Sequence, residues 1–117
     1  MVNGVPDILS LGNNQLLVME RSFSTGRLAC TVKIFLVDVK QATDISGINS
    51  LKQEPPTSPL QKKLLLNMDA LGIYTDNIEG MCLGPRLSNG KRTLWMIADN
   101  NFSPLERTQV FLFEVNE

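Results

Sequence analysis

The side chains able to do chemistry in this chain stand where apolar runs give way to loops. Glu20 and Arg21 close the run LLVMERSF (16–23), and Asp99, with Asn100 and Asn101 behind it, closes RTLWMIAD (92–99). Asn77 and Glu79 open the stretch DNIEGMCLGP (76–85), and Asp7 opens a comparable stretch near the start. Carboxylates and carbonyls gathered on one rim could hold Ca²⁺ through oxygen, and an Arg there could grip an anionic oxygen. The chain has no histidine. That excludes Ser-His-Asp and Cys-His nucleophile systems, histidine phosphatases and the usual His-rich zinc and iron sites. Chemistry must then come from carboxylates, amides, Lys, Arg and a hard metal ion.

Each of these groups also has a plainer role. Asp and Asn cap turns, exposed Glu and Arg are solvated, and Phe23 and Phe102 would plug the units they end. Asp7 and Glu79, if both turned toward a shared axis, would either need a cation between them or face water filling a channel. Other motifs fail on spacing. Gly84 and Gly90 have five residues between them where a phosphate loop needs four, and Arg92 stands where Ser or Thr would bind magnesium. Asp99-Asn100-Asn101 lacks the alternating ligands and central Gly of an EF-hand loop. NFS (101–103) fits a glycosylation sequon, but Pro104 follows it directly, so chance explains it better.

The elements that must position these residues read as strands. Besides 16–23 and 92–99, the runs TVKIFLVDV (31–39), KKLLLNM (62–68), GMCLG (80–84) and QVFLFEV (109–115) are rich in β-branched and aromatic residues. Asn and Gly at 12–14 and 88–91 suit tight hairpin turns, and the proline-containing segment 47–59 reads as a solvated loop. Helix is confined to one turn near 67–72. With 117 residues, 43% apolar, 20% charged and a net charge of −1, the chain supports one small domain and no polyanion partner such as nucleic acid. No apolar run is long enough to span a bilayer, and no signal peptide is visible; compartment is not legible. Cys30 and Cys82 are expected as buried thiols, not as a disulfide or zinc site.

The chain also matches itself in three places, in the same order. PDILSLG (6–12) pairs with IEGMCLG (78–84), VMERSFS (18–24) with IADNNFS (97–103), and IFLVDV (34–39) with VFLFEV (110–115). Each unit is strand, turn, carboxylate-ended strand, loop, strand, the layout of a β-propeller blade. The expectation is an all-β chain of two propeller-like blades, a four-stranded antiparallel meander over 6–68 and a three-stranded one over 76–116. Repeat folds generally need about three or more units, so the chain is expected to be a fragment of a larger propeller whose earlier blades precede residue 1.

Taken together, LVMERSF (17–23), DNIEG (76–80), RTLWMIADNNF (92–102) and QVFLF (109–113) resemble the C-terminal part of the phytase-like proteins, described by their esterase-like activity of phytase. The similarity runs from about Val5 to Val115. It implies a β-propeller-type fold, a hydrolase acting on a small phosphorylated or ester substrate, and calcium as cofactor. By position it implies catalytic roles for Glu20, Arg21, Glu79 and Asp99 and substrate-binding roles for Arg21, Asn77, Asn100 and Asn101. Glu79 and Asp99 would hold Ca²⁺ as a Lewis acid, Glu20 would activate water, and Arg21 would stabilise the developing charge. The rival is a non-catalytic propeller piece that binds a ligand or serves as a scaffold, with exposed blade edges prone to self-association.

Overall fold

The computed structural model describes residues 2–26 and 30–116. Seven strands run in order: β1 (Val2–Gly12), β2 (Gln15–Phe23), β3 (Thr31–Asp38), β4 (Lys62–Asn67), β5 (Ile78–Leu83), β6 (Thr93–Ala98) and β7 (Gln109–Glu114). The first four form one antiparallel sheet in the order β1-β2-β3-β4, and the last three form a second, β5-β6-β7. Among the described residues the only helix is a single 3₁₀ turn, Met68–Leu71, capped by the Asn67 side chain and by Gly72 in the left-handed region. The all-β expectation, its strand counts and its one helical turn therefore hold. β1 begins four positions ahead of the expected unit, at Val2.

Local chemistry explains the connections. Gly12, Asn13 and Asn14 all have positive φ, 84°, 50° and 62°, which is how two strands reverse in so short a space. The 47–59 segment forms turns and bends without strand or helix.

Strand alternation then decides what is buried. Leu17 and Met19 of β2 and Val32 and Ile34 of β3 share one apolar cluster with Met81 of β5 and Leu94, Met96 and Ala98 of β6; Met68 and Ile78 join it. The core thus lies between the sheets. Each large side chain fully removed from water contributes roughly 1.5–3 kcal/mol, so these residues are what hold the sheets face to face. β1 lies against β5, and the Cys30 amide donates to the Thr75 carbonyl at 3.1 Å as a further tie.

Three expectations are corrected. Phe23 is 46% exposed and Phe102 fully exposed, so neither plugs a sheet; Phe23 is the last residue of β2, paired with Val2, and Phe102 sits on a loop at φ 56°. Cys30 is buried but Cys82 is exposed, on the outer face of β5. The third internal match also slips. Val18 lies opposite Phe35, yet its match Ile97 lies opposite Val110, and Phe111, the match of Phe35, lies opposite Met96. A one-residue slip turns a side chain to the other face, so the third match holds for element order only, while the first two keep their pairing, Leu9 opposite Leu17 as Met81 is opposite Met96.

Candidate functional site

Successive residues of a strand point to opposite faces, and at the end of β2 this separates Glu20 from Arg21. Arg21 faces the second sheet. Its Nη1 donates to Glu79 Oε1 at 3.1 Å and to the Ile78 carbonyl at 3.4 Å, while the Asn77 amide donates to the same Glu79 oxygen at 2.8 Å. Glu20 faces the other way and pairs with Lys62 Nζ at 2.5 Å; that ammonium also lies 4.4 Å from the Phe35 ring centroid. Asp7 does not face a central ion: its Oδ2 accepts the Met81 amide at 2.7 Å and so ties β1 to β5.

Ile78 is paired with Ala98, so Asp99, the next residue, belongs to the rim that Arg21 reaches. There the polar groups serve their own loop. Asp99 Oδ1 accepts the Asn101 amide at 3.3 Å, Asn100 Oδ1 accepts the Phe102 amide at 3.2 Å, and Asn101 Nδ2 donates to Glu106 Oε2 at 2.6 Å. These bonds offset the positive φ of Asn101 and Phe102. The structure thus brings Arg21, Asn77 and Glu79 into contact, sets Asp99 to Asn101 on the same rim, and turns Glu20 to the opposite face.

A cleft of about 430 Å³ at this end of the first sheet is lined by Glu20, Lys33, Asn67 and Asp69, with Arg21 also bordering it. Lys33 and Asn67 were missed in the sequence. Lys33 interrupts the apolar run of β3 and lies opposite both Glu20 and Asn67, a signal legible only once the register is known. Asp76 was quoted but given no role, although it is the buried carboxylate of this region. Its oxygens accept the Asn77 amide at 2.8 Å, the Arg107 amide at 2.7 Å and the Tyr74 hydroxyl at 3.4 Å. Burial first, and then the Asp76 charge, push the Tyr74 phenol above its ordinary value of 10.0.

A family model for the phytase-like proteins, described as esterase-like activity of phytase, matches residues 1–102. The chain belongs to this family. No curated protein and no solved structure matched it. In this phytase-like chain the match takes in β1 to β6, Glu20, Arg21, Asn77, Glu79 and Asp99 to Asn101, and ends before β7; the likeness seen in 109–113 lies outside it.

Calcium takes about six to eight oxygen ligands. Among the described residues of the phytase-like chain, no group of three or more Cys, Asp or Glu side chains converges as metal ligands would. Glu79 Oε1 is shared by a guanidinium and an amide donor, and Asp99 Oδ1 is turned to the Asn101 amide. Glu79 and Asp99 as arranged do not fit a calcium ion.

Proposed function

We propose that this phytase-like chain hydrolyses a small phosphoester or carboxylic ester at the rim shared by the ends of β2, β5 and β6, and that its two sheets act as neighbouring propeller blades. The observation that carries the proposal is the meeting of Arg21, Asn77 and Glu79 beside the cleft that Glu20 and Arg21 line. Support for the blade arrangement comes from the links between β1 and β5. Arg21, opposite Gly4, reaches 78 and 79, while Asp7 reaches 81, the order expected of adjacent strands running the same way. In the proposed reaction Arg21 exchanges Glu79 for the substrate oxygen on which negative charge develops. Glu79, released by Arg21, orients the attacking water as its general base, and Glu20, on the opposite face, takes no part in this step. The amides of Asn77, Asn100 and Asn101 hold the substrate, and Asp99 closes the rim as a second carboxylate.

The test is release of p-nitrophenol from its phosphate and acetate esters, each with and without added calcium chloride. Glu79→Gln is expected to lower kcat by about 10²-fold or more, the ordinary contribution of one general base. No turnover of either ester, or a Glu79→Gln variant as active as the parent, would overturn the proposal.

One observation favours the second reading, a non-catalytic binding or scaffold module. Glu20 and Glu79 are each held by a cation, Lys62 and Arg21, as carboxylates with purely structural duties would be. Under that reading ligand binding survives and turnover is absent.

A further inference from the structure

We propose that Lys33 anchors an oxyanion-binding subsite on the outward face of the first sheet, a role distinct from hydrolysis and not dependent on it. The register builds this subsite. Asn3 lies opposite Ser22 and Ser22 opposite Thr31, while Glu20 lies opposite Lys33 and Lys33 opposite Asn67. Residues directly opposite one another project from the same face of a sheet. Two polar rungs therefore cross the sheet side by side, and all six residues line the cleft of about 430 Å³. The next rung, Val18 opposite Phe35 and Phe35 opposite Leu64, is apolar and bounds the cleft on that side.

Charge pairing within the cleft is uneven. Glu20 is drawn to Lys62, Arg21 is drawn to Glu79, and Asp69 accepts the Thr31 hydroxyl at 3.1 Å. Lys33 stands between these groups with no ion pair or hydrogen bond to its side chain among the described residues. The Ser22 hydroxyl and the side-chain amides of Asn3 and Asn67 also have no protein acceptor there; only the Asn67 carbonyl is used, by the Asp69 amide at 3.1 Å. Asn3, on β1, is three strands from Asn67, about 14 Å at roughly 4.8 Å per strand, and lies at the far end of the cleft. One ammonium, the Ser22 hydroxyl and the Asn67 amide thus stand nearest a common space as donors. That set complements a small oxyanion, with Lys33 supplying the compensating charge and the neutral donors taking the remaining lone pairs. The shared chemistry is a charged oxygen, borne by a phosphoryl group or a carboxylate.

The experiment is an amide chemical-shift titration of the full ¹⁵N-labelled chain with inorganic phosphate, and separately with acetate, at constant ionic strength. Saturable shifts are expected at Ser22, Thr31, Lys33 and Asn67. Saturation by phosphate alone, acetate alone or both supports the subsite and names the oxyanion. Lys33→Met is expected to weaken binding by about tenfold or more, the loss for one charge-assisted hydrogen bond, whereas Lys33→Arg retains it. Lys40→Met, in a different cleft, should bind as the parent does. Saturation by neither anion, or a folded Lys33→Met variant that titrates like the parent, overturns the proposal. Should Lys33→Met unfold, Lys33→Gln carries the same comparison. Turnover is not read, so a failed hydrolysis assay leaves this outcome independent.

Discussion

Asp76 and Tyr74 carry a consequence for pH. The Tyr74 phenol donates to Asp76, and the Arg107 guanidinium lies 5.0 Å from the Tyr74 ring, so the residues ahead of β5 and β7 are pinned by one small cluster. The folded phenol titrates above 10.0, raised by burial and then by Asp76. The unfolded chain therefore ionises first. Its contribution to stability is fully present below pH 10.0 and is lost as the pH climbs through the higher, folded value. The melting temperature is expected to fall in this alkaline range, and more steeply in the parent than in Tyr74→Phe. Parallel curves for the two proteins would remove Tyr74 from the explanation. At this scale the sequence exposed residue types but not partnerships. Glu79 looked chemically poised because the Arg21 that occupies it is 58 positions away. Lys33 looked ordinary because its polar neighbours come from three other strands.

Strands were legible because alternation and β-branched content act locally, and β2 to β7 fall within two residues of the apolar runs that announced them. Register was not legible. The Gly4/Asp7 and Ile78/Gly80 irregularities each insert one residue, so β1–β2 and β5–β6 keep matching rungs, Ile8 opposite Val18 and Gly80 opposite Ile97; β3 and β7 do not, since Phe35 faces Val18 while Phe111 faces Met96. Gly84 shows how closely one strand end is fitted. A Cβ there would lie 2.2 Å from Trp95 Nε1 and 2.5 Å from Thr93 Oγ1, atoms that are hydrogen-bonded to each other at 3.1 Å. Gly84→Ala must push the indole aside and break that bond. A loss of about 1–3 kcal/mol, the usual cost of overpacking, is expected in urea unfolding. A midpoint equal to the parent's would mean that Trp95 swings out freely.

For the whole molecule, the two packed faces account for the core, and the outer face of the second sheet is apolar as well. Trp95, Ile97, Val110 and Leu112 are all exposed there, and among the described residues no further strand pairs with β4 or with β7 at the ends of their sheets. β4 carries two lysines that discourage edge pairing, Lys62 and Lys63, whereas β7 has a single charge, Glu114, at its end. Self-association is the expected outcome, visible as a sedimentation coefficient that rises with protein concentration and rises less for Leu112→Lys. A coefficient constant across the range for the parent would show that this surface stays solvated.

The interior has a chemical character of its own. Met19, Met68, Met81 and Met96 all lie in the contact between the sheets, where flexible thioethers accommodate two surfaces that are not exact copies. Peroxide can reach those sulfur atoms only while the sheets stand apart, and a sulfoxide formed in that interval is too polar to return to its place. Oxidation of these core methionines, unlike that of the exposed Cys82 thiol, therefore proceeds no faster than the sheets separate, and each oxidised sulfur resists their closing again.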